Sequence, residues 1–85
     1  MQIIIEPHTL QRAIERGATE TEITDVLTHG VEIVAKQGRL AKSKVFLFQQ
    51  IRNSKYYEQK RIDVFYLIEN DKIITVTVYV FYGTF

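Results

Sequence analysis

The chain has no cysteine among its 85 residues, which excludes disulfide staples, thiolate nucleophiles and thiolate metal sites and fits a cytosolic protein. It also lacks any uninterrupted apolar run near the roughly 20 residues a membrane helix needs. The opening Met1-Gln2-Ile3-Ile4-Ile5-Glu6 is too short for a signal peptide, so the expected location is the cytoplasm. The four glycines are isolated turn makers, and no Gly-rich phosphate loop is present. The two histidines, His8 and His29, stand far apart without an HxxxH spacing, so neither a metal nor a cofactor is expected. Finally, there is no large excess of either charge: 11 Lys and Arg face 10 Asp and Glu, for a net charge of +1. That is too small to argue nucleic-acid binding by itself.

The charges are nevertheless unevenly placed. Glu20, Glu22 and Asp25 sit in the first third, whereas Lys36, Arg39, Lys42, Lys44, Arg52, Lys55, Lys60 and Arg61 crowd the middle. Two readings follow, a local cationic surface or a set of solvated loops. Hydrophobic residues make up 46% of the chain and charged residues 25%, ordinary values for a single globular domain over residues 1–85.

The clearest pattern is Ile73-Ile74-Thr75-Val76-Thr77-Val78-Tyr79-Val80-Phe81-Tyr82, a strand by composition. Period-2 alternation places Thr75, Thr77, Tyr79 and Phe81 on one face and Ile74, Val76, Val78, Val80 and Tyr82 on the other. The apolar face requires a cover, and the N-terminal third encodes one. Pro7 opens a helix to Arg16 with Gly17 as its terminator. Leu10, Ala13 and Ile14 form its core stripe, and His8, Arg12 and Arg16 take the far side at i, i+4, i+8. Thr19 and Glu22 have capping-box spacing for a second helix that ends at Gly30 and buries Ile23, Val26 and Leu27. His29 sits in its last turn, where it complements the helix dipole.

Further strands are expected over 31–36, 44–49 and 61–68, with Glu69-Asn70-Asp71-Lys72 as the turn before the last strand. Closing that hairpin pairs Leu67 with Ile74, Phe65 with Val76, Val64 with Thr77 and Ile62 with Tyr79, and puts Arg61 and Asp63 on the helix-covered face. The expected fold is α+β, with two N-terminal helices on a mostly antiparallel four-stranded sheet.

His8-Thr9-Leu10-Gln11-Arg12-Ala13-Ile14-Glu15-Arg16-Gly17, the Thr-Glu-x-Glu-Ile helix start, Tyr56-Tyr57-x-x-Lys60-Arg61-x-x-Val64 and Val76 to Gly83 together resemble the bacterial domain-of-unknown-function family four-two-five-eight. The resemblance spans nearly the whole chain through short pieces. That family is distantly similar to the RelE-like toxins, many of which cleave messenger RNA. The resemblance implies a RelE-like fold, an RNA-cleaving or RNA-contacting surface, and an antitoxin as partner.

Metal-free RNA cleavage needs a base for the 2′-hydroxyl, an acid for the 5′-oxygen and positive charge over the phosphate. His8, Arg12, Lys60 and Tyr79 are the candidate catalytic residues, and Arg16, Tyr57, Arg61 and Thr77 the candidate RNA-binding residues. Each has a plainer alternative. His8 can simply begin a helix, Arg12 and Arg16 can form a solvated stripe, and Tyr56 and Tyr57 can pack a strand edge. The rivals to an endoribonuclease are a noncatalytic nucleic-acid or protein interaction module and a structural homodimer built on the apolar last hairpin.

Overall fold

In the computed structural model, which describes all residues 1–85, the chain runs β1 (Gln2–Ile4), α1 (Pro7–Arg16), α2 (Glu20–His29), β2 (Val31–Ile33), β3 (Leu40–Arg52), β4 (Lys55–Glu69) and β5 (Lys72–Gly83). The α+β class is as expected, but the sheet has five strands in the order β1-β5-β4-β3-β2. It is mixed, because β1 pairs parallel to the start of β5 while the other three pairings are antiparallel. The additional strand is only three residues long, too short to display a period, and becomes a strand through its partner on β5. None of the helices is long and apolar enough to cross a membrane.

Both helices start and stop for local reasons. Glu6 caps α1 by accepting from the Thr9 N–H, and Pro7 occupies the first turn. Gly17 ends α1 in the left-handed region at φ 100°, where a side chain is strained. Thr19 and Glu22 form a reciprocal capping box at the start of α2. The helices lie on one face of the sheet, α1 along β5 and α2 across β3 and β4. Ile23 and Val26 of α2 meet Ile62 and Val64 of β4 and Val78 of β5 in a fully buried core. At about 25 cal/mol per Å2 of apolar area, such burial is the main stabilising term for a chain this small.

Strands β3, β4 and β5 are longer than their sequence pattern suggests, because two-residue turns carry β3 into β4 and β4 into β5, whereas β2 stops at Ile33, short of the expected residue 36, where the chain leaves the sheet for the loop to β3. Asn53 and Ser54 (φ 51° and 66°) and Asn70 and Asp71 (φ 49° and 61°) all have positive φ, the signature of type I′ turns that match strand twist.

The β4–β5 register departs from the expected one at a single point. Leu67 does face Ile74, but Tyr66 faces Thr75 while Phe65 faces Thr77, leaving Val76 as an extra residue. Beyond this bulge Val64 pairs with Val78 and Ile62 with Val80, one residue away from simple alternation. Two consequences follow. Thr75 turns inward, is buried, and accepts the Glu6 N–H at 3.1 Å. Arg61 and Asp63 fall on the open face, not the helix-covered face, because their register partners are Phe81 and Tyr79.

The α1 stripe is also rolled from its expected position. Ala13 is buried and Leu10 partly so, but Ile14 is 60% exposed and Thr9 takes a buried place. The roll carries His8, Arg12 and Arg16 from the far side to the boundary between α1 and β5.

Candidate functional site

Since β1 covers only residues 72–74 of β5, the rest of that strand is a sheet edge with unpaired backbone groups. The first helix runs beside this edge and satisfies it with side chains. Thr9 Oγ1 donates to the Val76 carbonyl at 3.1 Å and Arg16 Nη1 to the Val78 carbonyl at 2.7 Å. The helix is rolled because these two donors, three residues before and four residues after Arg12, must both reach the strand. Between helix and edge lies a groove of about 180 Å3 lined by His8, Thr9, Arg12, Arg16 and the Val76–Val78 segment.

Chemically the groove is cationic. No carboxylate lines it, so the guanidinium groups of Arg12 and Arg16 impose positive potential in a concave site. Neither the His8 imidazole nor the Arg12 guanidinium is drawn into a side-chain hydrogen bond or ion pair, and both are exposed. Arg16 is anchored: besides Val78 it lies 5.4 Å from the Tyr79 ring centroid, reaching round the edge to the opposite face of the sheet. The nearest acid in sequence, Glu6, is occupied as the helix cap. The backbone N–H groups of Thr9 and His8 hold its carboxyl below the usual glutamate range.

The candidate residues therefore divide. His8, Arg12, Arg16 and Thr77 come together in the groove. Tyr79 borders a neighbouring hollow on the open face and touches the site through Arg16. Lys60 lies elsewhere. Its side chain is 9% exposed under the helices, where Nζ donates to the Gly17 carbonyl and to Glu22, both at 2.9 Å. Those bonds hold the α1–α2 junction to β4 and leave the ammonium unavailable to a ligand in the groove. Arg61 is on the open face, bonded through Nε to Asp63 at 3.1 Å and stacked 4.5 Å from the Phe81 ring.

Tyr57 belongs to an aromatic group with Tyr82 on the helix-covered side, at a centroid distance of 5.5 Å. It stands eight residues along β4 from Phe65, roughly 26 Å away at about 3.3 Å per residue. Burial raises the Tyr82 phenol above its ordinary value, opposed by the nearby Arg52 charge. The Tyr82 hydroxyl donates to the Arg16 carbonyl at 2.7 Å and so fixes the last turn of α1 from below.

Three contributors were not singled out from the sequence. Thr9 carried no signal beyond its place next to His8. Lys36 and Arg39 stood out only as members of a basic stretch, yet their loop borders the open face.

Searches against known protein families, curated proteins and solved structures return no match.

Proposed function

We propose that the protein is a RelE-like endoribonuclease that cleaves RNA without a metal at the α1–β5 groove. The carrying observation is the convergence of His8, Arg12 and Arg16 with Thr77 around a concave site free of carboxylates. The resemblance of the α1 and β5 segments to family four-two-five-eight, and through it to the RelE-like toxins, supports the same reading by analogy.

In this reading the RNA phosphate sits against Arg12, with Arg16 behind it. The 2′-oxygen attacks phosphorus, the bond to the 5′-oxygen breaks, and the products are a 2′,3′-cyclic phosphate and a 5′-hydroxyl end. His8 takes the 2′-hydroxyl proton or supplies a proton to the departing oxygen, and water serves the other role. The guanidinium groups stabilise the charge that grows on the phosphoryl oxygens. Tyr79 acts by holding Arg16 in place, and Lys60 takes no part.

A second reading, a noncatalytic nucleic-acid binding module, is favoured by one feature: the groove lining contains a single imidazole and no second histidine, carboxylate, lysine or tyrosine to share the acid and base roles. Expression of the wild type, His8→Ala and Arg12→Ala in a bacterial host at equal soluble levels separates the two. Growth arrest with RNA cleavage, lost in both variants, is the expected result. Normal growth with intact RNA at verified expression overturns the nuclease reading, and RNA binding that survives in His8→Ala without any cleavage by the wild type establishes the module.

A further inference from the structure

Beside the groove lies a second concavity that none of the proposed chemistry uses. The loop over residues 34–39, between β2 and β3, borders the open face of the sheet and lines an open hollow of about 400 Å3 together with Phe65, Thr77 and Tyr79. That size falls within the about 300–1,000 Å3 of small-ligand sites. Its floor is aromatic, with Phe65 and Tyr79 in an edge-to-face pair at 5.8 Å and 84°, and Tyr79 is 43% exposed. Its rim carries Lys36 and Arg39.

Two facts tie the hollow to the groove. Thr77 lines both, so they meet at the edge of β5. Neither lining contains a carboxylate, although acids nearly equal bases over the chain. Asp63, the register partner of Tyr79, is engaged by Ser43 at 2.6 Å and by Arg61. The path therefore runs from two arginines, past a hydroxyl, over two aromatic rings, to a lysine and another arginine. Spaced cations flanking an aromatic platform fit alternating phosphates and bases.

We propose that the hollow is a nucleotide subsite for single-stranded RNA. The base flanking the phosphate at Arg12 lies against Tyr79 and Phe65, while Lys36 and Arg39 hold the next phosphate. The inference rests on the reading of the groove as an RNA phosphate site. It adds a minimum ligand of two nucleotides, a requirement for an unpaired base, and a positioning role for a loop remote in sequence from α1.

The test is fluorescence anisotropy with a labelled 2′-O-methyl hexaribonucleotide, which keeps bases and phosphates but cannot be cleaved. The same hexamer in a duplex and a labelled hexaglutamate peptide serve as competitors of matched charge type. Wild type is compared with Arg12→Ala, Tyr79→Ala, Tyr79→Phe and the double variant Lys36→Ala/Arg39→Ala, each checked for an unchanged fold by circular dichroism. Loss of a stacked base is worth about 1–3 kcal/mol, so Tyr79→Ala is expected to weaken single-strand binding about fivefold or more, and Tyr79→Phe to bind like wild type. The loop variant is expected to flatten the salt dependence by about one to two units of slope. Dependence on Arg12 with wild-type binding in Tyr79→Ala and the loop variant overturns the subsite and leaves the groove reading intact. Absence of any RNA binding overturns both, and equal or tighter binding of the duplex or of the acidic peptide overturns the subsite by removing the need for an unpaired base.

Discussion

Arg16 Nη1 donates to the Val78 carbonyl at 2.7 Å, so the last turn of α1 closes the sheet edge that β1 leaves open. The same guanidinium contributes to the cationic groove, which makes it structural and functional at once. Arg16→Ala is expected to lower stability by about 1–3 kcal/mol, the range for losing a charge-assisted hydrogen bond and leaving its acceptor unmet. Urea denaturation checks this. Thr9→Val removes the companion bond to Val76 and a longer one to the Glu6 carboxylate while leaving the net charge unchanged, so it should cost about 1 kcal/mol and leave the salt dependence of RNA binding unchanged.

Lys60 offers a sharper separation between fold and chemistry. Its ammonium is buried against Glu22 and the Gly17 carbonyl. Lys60→Ala strands Glu22 and should cost on the order of 3 kcal/mol. Lys60→Met keeps the apolar stem and should recover part of that loss. Once folded, the Met variant should retain wild-type RNA affinity and turnover. Inactivity of a well-folded Lys60→Met protein would return this lysine to the catalytic set.

The pH dependence of stability should show the mark of Asp25. Lys44 Nζ at 2.6 Å, then His29 Nδ1 at 3.0 Å, hold its carboxyl below the ordinary aspartate range. A depressed folded value means that the contribution is complete above the unfolded value of about 3.9 and is lost as the pH falls through the folded one. The urea midpoint of wild type should therefore exceed that of Asp25→Asn near neutrality, and the gap should close in acid. A gap that stays constant down to pH 2 would mean that ionisation of Asp25 contributes nothing.

The helices were legible in the sequence because each boundary has a local cause: Pro7, Gly17, the Thr19–Glu22 box and Gly30 all act within a turn of the residues they govern. The direction of the α1 face was not. Hydrophobicity favoured Ile14, whereas the edge carbonyls of Val76 and Val78 selected Thr9 and Arg16, and an unpaired strand edge has no signature in the helix that covers it. The register failed for a related reason. A one-residue bulge at Val76 preserves every residue type while exchanging faces, so alternation reads straight through it. Groove residues His8, Arg12, Arg16 and Thr77 were visible as types with suitable spacing. That Lys60 would be taken up inside depended on Glu22 and Gly17, which are 38 and 43 residues away in sequence.

Gly17 lets steric and conformational costs be measured apart. Its φ of 100° already disfavours a side chain, and a Cβ there would run into the Tyr82 hydroxyl. That hydroxyl is held against the helix by its bond to the Arg16 carbonyl, so it cannot move aside freely. Gly17→Ala should therefore destabilise by more than the about 1 kcal/mol expected from the left-handed conformation alone. In a Tyr82→Phe background the obstructing oxygen is gone, and the same substitution should fall back toward that conformational figure. The double-mutant cycle read by urea denaturation gives the difference directly. Equal costs in the two backgrounds would assign the whole effect to the backbone and none to the contact between Tyr82 and the turn that positions Arg16.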